Sequence, residues 1–314
     1  MNMATDKNYI VYSCKEMEPL VHKMCMDYPN RFRFESITFE HFKDGTPSIF
    51  INNICSIEGK DVIFFASFPK AIHKYDQLCV LLSLCESFIN SLTIVLPFSP
   101  TGTMERVDCE GQVATANVDA WLLNSLPKPN GPIKVVIYDL HTQQNRFYIR
   151  GNALLKMATA MPIFMNKLIN DHKNESITIA FPDDGSYKRF GKIFADIYPT
   201  IICGKIRDGD KRIVTIKEGN AKDQHVFIVD DLVQTGGTII ECKNALLNAG
   251  AKEVSAFVTH VIFPNNSWTK FVDGEGKDLK HFYCTNSFPS TSNIIDGKGP
   301  FTVLSLYPNI LQYL

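Results

Sequence analysis

Two adjacent acids at the end of an apolar run, with a glycine-rich loop close behind, are the residues in this chain best spaced to do chemistry. Val226–Val229 runs into Asp230 and Asp231, and a short loop then delivers Thr235, Gly236, Gly237 and Thr238 to the start of a helical pattern. Strand, acids, loop and helix in that order make a cradle in which backbone N–H groups and a helix N-terminus hold a phosphate. The glycines let the backbone approach that phosphate and take up conformations a Cβ forbids. A carboxylate pair would repel it, so the acids have sugar hydroxyls, or a metal ion on the same ligand, as natural partners. Together these features describe a sugar-phosphate site. An ordinary βα turn with capping residues would not need both the acid pair and the Thr-Gly-Gly-Thr opening.

In open α/β sheets ligands bind beyond the carboxyl ends of the strands, and two further strand ends carry suitable groups. Val135–Tyr138 ends at Asp139, Leu140 and His141, and Ile177–Phe181 ends at Pro182, Asp183, Asp184 and Gly185. A histidine and carboxylates at such ends suit Mg²⁺, which takes few protein ligands and completes its shell with water and phosphate oxygens. The balancing positive charge lies in Gly204–Arg212. Lys205 and Arg207 alternate, so on an extended segment both point to one side, and Asp208-Gly209-Asp210 supplies a turn before Lys211-Arg212. Such a run is commonly a solvated hairpin tip. Facing acids and phosphates, it also makes a clamp for a transferring phosphoryl group.

Positioning these groups takes alternating strands and helices. Strands are expected at Tyr9–Tyr12, Val62–Ala66, Leu92–Leu96, Lys134–Tyr138, Ile177–Phe181, Val226–Val229 and Ser255–Val258. Several are unbroken Val/Ile/Phe runs, the mark of strands buried on both faces. Helical patterns are expected at Tyr75–Ile89, Val113–Asn124 and Asn152–Asn170. Another follows the glycine loop, where Ile239, Cys242, Leu246 and Ala249 recur at helical spacing and Gly250 stands at a C-terminal cap position. The fold class is therefore α/β, with mostly parallel sheets flanked by helices. Residues 34–50, with an Asp44-Gly45 turn, read as an antiparallel arm outside the main sheet. A length of 314 residues fits two domains, with comparable halves meeting near residue 149.

Composition narrows the partners. With 32 basic against 33 acidic residues, a nucleic acid held by bulk electrostatics is not indicated. No apolar run approaches bilayer length, and Met1–Lys7 lacks a signal core, so no membrane association is expected. Nine cysteines without a Cys-x-x-Cys pair fit reduced thiols in a cytoplasmic protein.

The chain resembles ribose-phosphate pyrophosphokinases, the PRPP synthases, over nearly all its length, and most closely their plant-type, phosphate-independent class II branch. The segments that carry this are Phe-Lys-Asp-Gly (42–45), Leu-Pro-Phe-Ser-Pro-Thr-Gly-Thr-Met-Glu-Arg (96–106), Glu-Gly-Gln-Val-Ala-Thr-Ala (110–116) and Asp-Leu-His-Thr-Gln-Gln-Asn-Arg-Phe-Tyr (139–148). Further along come Ile-Ala-Phe-Pro-Asp-Asp-Gly (179–185), Lys-Ile-Arg-Asp-Gly-Asp-Lys-Arg-Ile-Val (205–214), the 226–238 loop and Val-Leu-Ser-Leu (303–306). The resemblance implies two tandem phosphoribosyltransferase-like domains, 1–148, on which 303–314 packs, and 149–302.

It also implies roles. Lys205 and Arg207 match the catalytic basic pair. Asp230, Asp231, Thr235, Gly236, Gly237 and Thr238 match the ribose-5-phosphate loop. Phe42, Asp44, Arg106 and His141 match ATP contacts, the first two on an arm that reaches a neighbouring subunit, so a homo-oligomer is expected. His141 and Asp183 match Mg²⁺-associated residues. The implied reaction passes the β,γ-diphosphoryl group of ATP to O1 of ribose 5-phosphate, giving AMP and PRPP. Two rivals share parts of the pattern: a base phosphoribosyltransferase that consumes PRPP, and a non-catalytic regulatory subunit. The chain departs from the more widespread class I pattern at Thr103-Met104-Glu105 and Thr46, and from the usual family pattern at Val261.

Overall fold

The computed structural model describes residues 8–173, 175–208 and 211–314, with the side chains of 205–213 outside that description. The chain divides into two compact units, one of 1–159 with Tyr307–Leu314 and one of Ala160–Leu306.

The first unit contains β1 (Tyr9–Ser13), α1 (Glu18–Asp27), β2 (Phe32–Phe34), β3 (Ile37–His41), β4 (Pro47–Ile51), β5 (Asp61–Phe65), α2 (Ala71–Cys85), β6 (Ser91–Val95), α3 (Thr115–Asn124), β7 (Ile133–Tyr138) and β8 (Ala153–Ala158). Six of these strands form one sheet in the order β2-β1-β5-β6-β7-β8, and every pairing in it is parallel. The apolar runs of β1, β5, β6 and β7 are buried almost throughout, as helix cover on both faces demands. β3 and β4 form a separate antiparallel hairpin whose turn holds Gly45 at φ 86°.

The second unit contains α4 (Met161–Asp171), β9 (Ile177–Phe181), α5 (Asp184–Phe194), β10 (Thr200–Asp208), β11 (Lys211–Glu218), β12 (His225–Val233), α6 (Gly237–Asn248), β13 (Glu253–Val261), β14 (Phe282–Thr285), α7 (Pro289–Ile295) and β15 (Phe301–Leu304). Its sheet runs β11-β10-β9-β12-β13-β14-β15, parallel except for β10 with β11. Alternation along β12 splits its core. Val226 and Ile228 pack with Ile239, Cys242 and Leu246 of α6. Phe227 turns to the other face, where Phe164 of α4 lies 5.9 Å from it and stacks at 4.3 Å on Phe257. A last helix, α8 (Tyr307–Ile310), belongs to the first unit.

Four expectations change. The helix expected over 152–170 is a strand followed by a shorter helix, because Ala153–Ala158 pairs with the whole of β7 and Pro162 opens α4. The break between halves accordingly falls at 159/160 and not at 148/149, since β8 completes the first sheet. At the far end, 303–306 stays with the second unit, because β15 pairs with β14; the segment that returns is 307–314. Residue 34 closes β2 of the main sheet, so the arm proper is β3–β4. All nine cysteines are free thiols. Among the described residues no helix is long and apolar enough to cross a membrane.

Candidate active site

The second unit brings several of the expected residues to one edge. In the β9–β12 register Ala180 pairs with Ile228, so Asp183 and Asp231, each three residues further on, emerge at the same level beyond the carboxyl ends. Asp183 is the N-cap of α5: its Oδ1 accepts the Ser186 backbone N–H at 2.9 Å, and the Ser186 hydroxyl completes a capping box. Asp184, one residue on, is exposed and pairs with Lys217 of β11 at 2.8 Å. That partner holds its carboxyl below the usual carboxylate range.

Asp230 and Asp231 were expected on a ligand-facing loop. They are instead part of β12, 8% and 1% exposed, because the strand runs on to Val233 in register with β13. Their charge is met by Arg189 of α5, whose Nη2 lies 3.4 Å from Asp230 Oδ1 and also bonds Asp231 Oδ1. Asp230 Oδ1 further accepts the Asp231 N–H at 2.9 Å. Burial, and then the adjacent Asp231, push the Asp230 carboxyl well above its ordinary range, while Arg189 opposes the shift. Arg189 is the member of this site that the sequence reading missed.

The loop after β12 has the shape that its glycines allow. Gly236, the N-cap of α6, sits at φ 86°, and a Cβ there would meet Phe271 Cε2 at 2.6 Å, whereas a Cβ on Gly237 would meet nothing within 4 Å. Gly236 offers no side chain to the first amides of α6, in contrast to Asp183 at α5. An uncapped helix start beside open space is what an anion needs. Thr235 is exposed and Thr238 half-buried; the Lys270 ammonium reaches the Thr235 carbonyl at 3.4 Å.

The hairpin β10–β11 stands at the same edge. Its last pair with β9 is Ile202 with Phe181, yet β10 continues to Asp208, pairing only with β11, with Lys205 opposite Val214 and Arg207 opposite Arg212. The backbone thus carries 205 and 207 past the sheet end, and their side chains lie outside the described residues.

In the first unit His141 and Arg106 follow the ends of the adjacent strands β7 and β6. Two bonds tie their loops together: Asn145 Nδ2 to the Gly102 carbonyl at 2.8 Å, and the Tyr148 hydroxyl to the Glu105 carbonyl at 2.5 Å. His141 is exposed, and Arg106 is an exposed side chain 3.5 Å from Glu105. Phe42 and Asp44 stand apart on the β3–β4 turn. Phe42 is 61% exposed; Asp44 Oδ1 accepts the Thr46 N–H at 2.9 Å, which holds its carboxyl low.

For Mg²⁺, a half-buried carboxylate such as Asp183 at a strand end is a fitting hard donor, and a site with few protein ligands is the usual form. The imidazole of His141 is a softer donor, better matched to a phosphate or to a borderline metal.

A model of the phosphoribosyl transferase domain matches residues 156–294, which nearly coincides with the second unit. Ribose-phosphate pyrophosphokinase 4 of Arabidopsis thaliana is 43% identical over 312 residues, covering 98% of this chain and 92% of its own. Ribose-phosphate pyrophosphokinase 4 of Oryza sativa subsp. japonica is 44% identical over 313 residues, covering 98% and 96%. The chloroplastic ribose-phosphate pyrophosphokinase 3 of the same rice is 43% identical over 305 residues, covering 96% and 74%. Among solved structures, phosphoribosylpyrophosphate synthetase from Mycobacterium smegmatis superposes with a TM-score of 0.83 at 20% identity, covering 98% of this chain and 97% of that one. A fold shared end to end, and more than two-fifths identity across almost the whole of two plant proteins, place this chain in the ribose-phosphate pyrophosphokinase family.

Proposed function

We propose that the chain transfers the β,γ-diphosphoryl group of ATP to O1 of ribose 5-phosphate. The observation that carries this is the loop after β12: an uncapped α6 N-terminus with open space at Gly237, next to a buried acid pair. The 5-phosphate rests on the amides of 235–238, and Asp230 and Asp231, held by Arg189, line the ribose side. Ribose O1 then attacks the β-phosphorus; the O1–P bond forms as the bond from P to the α,β-bridging oxygen breaks, and AMP leaves with that oxygen. Lys205, Arg207 and Arg106 neutralise the charge that builds on the phosphate oxygens, and His141 contacts the ATP phosphates. Mg²⁺, when bound, would neutralise charge on the same phosphates, with Asp183 as a protein ligand. Restraint of both substrates supplies much of the acceleration.

The same reading makes the active species a homo-oligomer in which the arm bearing Phe42 and Asp44 completes a neighbour's ATP site. One assay tests it. Purified chain with Mg²⁺·ATP and ribose 5-phosphate is followed for AMP and PRPP, with and without inorganic phosphate. AMP and PRPP in equal amounts are expected, without need for phosphate. PRPP consumption with a free base, or no turnover, would overturn the reading in favour of a phosphoribosyltransferase or a regulatory subunit respectively. Six parallel strands in the first unit weigh against the former, and the presence of Lys205, Arg207, His141 and Asp230 against the latter.

A further inference from the structure

The amino edge of the second sheet, opposite the strand ends that carry the loop, gathers another set of ionisable groups. His172 ends α4, Glu175 lies just before β9, His225 opens β12, and His281 precedes β14. His172 and His225 are buried. Their Nδ1 atoms lie 3.0 and 2.5 Å from the two oxygens of Glu175, and the three groups offer ligand atoms within 4.8 Å of one another. Tetrahedral Zn²⁺ with bonds of ~2.1 Å separates its ligand atoms by about 3.4 Å. The three donors are therefore grouped on the scale of one ion, and the more exposed Glu175 is the one able to adjust.

The outer ring nitrogens have the partners that a metal-bound imidazole needs. His172 Nε2 is 3.2 Å from the Tyr283 hydroxyl. That hydroxyl has a lone pair with which to accept an Nε2–H from His172. His225 Nε2 is 2.8 Å from Ser255 Oγ, which already accepts the His281 N–H at 3.2 Å and has a further lone pair to offer. With protons on Nε2, neutral rings aim Nδ1 lone pairs at a carboxylate, which is repulsive unless a proton or a cation lies between. Protons on both would place two imidazoliums 5.4 Å apart, with His281 5.5 Å from His172. A divalent ion would take both Nδ1 lone pairs and the Glu175 carboxylate together, while the hydroxyls of Tyr283 and Ser255 accept the Nε2–H groups as metal-bound histidines require.

We propose that His172, Glu175 and His225 form a binding site for a borderline divalent metal ion, Zn²⁺ foremost, which ties the end of α4 to the start of β12. Two imidazoles and one carboxylate suit Zn²⁺ and disfavour Mg²⁺, and water fills the fourth position. The ion is structural, since the site sits at the sheet edge away from the strand ends that carry the loop.

The test uses the full chain, stripped with chelator and kept in excess Mg²⁺ so that hard oxygen sites are occupied. Zn²⁺ is titrated calorimetrically and Co²⁺ by its visible spectrum, into the parent and into Glu175→Gln and His225→Ala. One Zn²⁺ per chain is expected in the parent, weakened at least ~10-fold in Glu175→Gln and absent in His225→Ala. The Co²⁺ spectrum should show low-symmetry nitrogen and oxygen ligation without a thiolate charge-transfer band, and Zn²⁺ should raise the unfolding temperature of the parent more than that of either variant. Glu175 is at the surface, so Glu175→Gln and the parent's Co²⁺ spectrum decide the matter even if His225→Ala does not fold. Equal Zn²⁺ affinity in parent and Glu175→Gln, thiolate ligation, or no Zn²⁺ bound would overturn the proposal.

Discussion

Arg189 reaches from α5 to both acids of β12, and at the residue scale this contact governs how the site responds to mutation. Its guanidinium is 14% exposed as a side chain, against 11% and 2% for the two carboxylates, so removing it strands buried negative charge. Arg189→Leu should cost about 3–5 kcal/mol of stability, read from urea unfolding; a loss under about 1 kcal/mol would mean the pair is solvated in solution. Asp230 makes the opposite test. Its raised carboxyl holds a proton in the folded chain that the unfolded chain has released, so it contributes stability that is full below the unfolded value of ~3.9 and lost as pH rises through the folded value. Asp230→Asn should lack that loss, and its stability relative to the parent should climb as pH rises from acid; parallel pH profiles would contradict it. The acid pair was legible because two adjacent aspartates after a Val-Phe-Ile-Val run are conspicuous. Arg189 was not, because one arginine inside a helix has no local signature and its partners come from another element.

At the scale of elements, the loop–helix junction and the hairpin make separable demands. Gly236→Ala must place a Cβ against Phe271 with the backbone at φ 86°, a conformation costing a non-glycine residue about 1–3 kcal/mol. Gly237→Ala faces open space, so it should match the parent in thermal stability yet raise KM for ribose 5-phosphate, its methyl standing where the phosphate rests. If Gly237→Ala leaves KM unchanged, the phosphate binds elsewhere. Because β10 runs past its last pairing with β9, the backbone of its outer part is paired with β11 alone. Lys205→Ala and Arg207→Ala should fold normally, bind ATP within a few-fold of the parent, and lose about 10²–10³ in turnover. Near-parental turnover of Lys205→Ala at saturating substrate would make the hairpin a surface feature only. Sequence patterns showed β12 and α6 clearly, since an apolar run, two glycines and a helical repeat leave one arrangement open. They misread β8, whose Ala-Leu-Leu-Lys-Met-Ala favours helix and becomes a strand through its parallel pairing with β7.

For the whole molecule, the second unit is an insertion in the first, whose chain leaves at 159 and returns at 307. The returning segment is firmly attached: the Tyr138 hydroxyl donates to Asn309 Oδ1 at 2.9 Å, Lys134 Nζ reaches the Tyr313 carbonyl at 3.2 Å, Tyr307 bonds Asp27, and the Tyr138 and Tyr313 rings meet edge-on at 5.9 Å. Deleting 307–314 should therefore lower the unfolding midpoint of the first unit and spare the second, resolved by hydrogen exchange measured peptide by peptide; equal protection in both units would show the segment to be dispensable. The expected return of the chain was legible in outline, but its starting point was not, because Phe301–Leu304 reads equally well as an edge strand of either sheet. The insertion also sets a timetable. A ribosome adding residues at ~5–20 per second takes on the order of ten seconds to cross 160–306. Throughout that interval the earlier-made unit waits for Tyr307–Leu314, and at its end the later one has every strand of its sheet. The order of completion is thus the reverse of the order of synthesis: the unit begun first is the last to be finished.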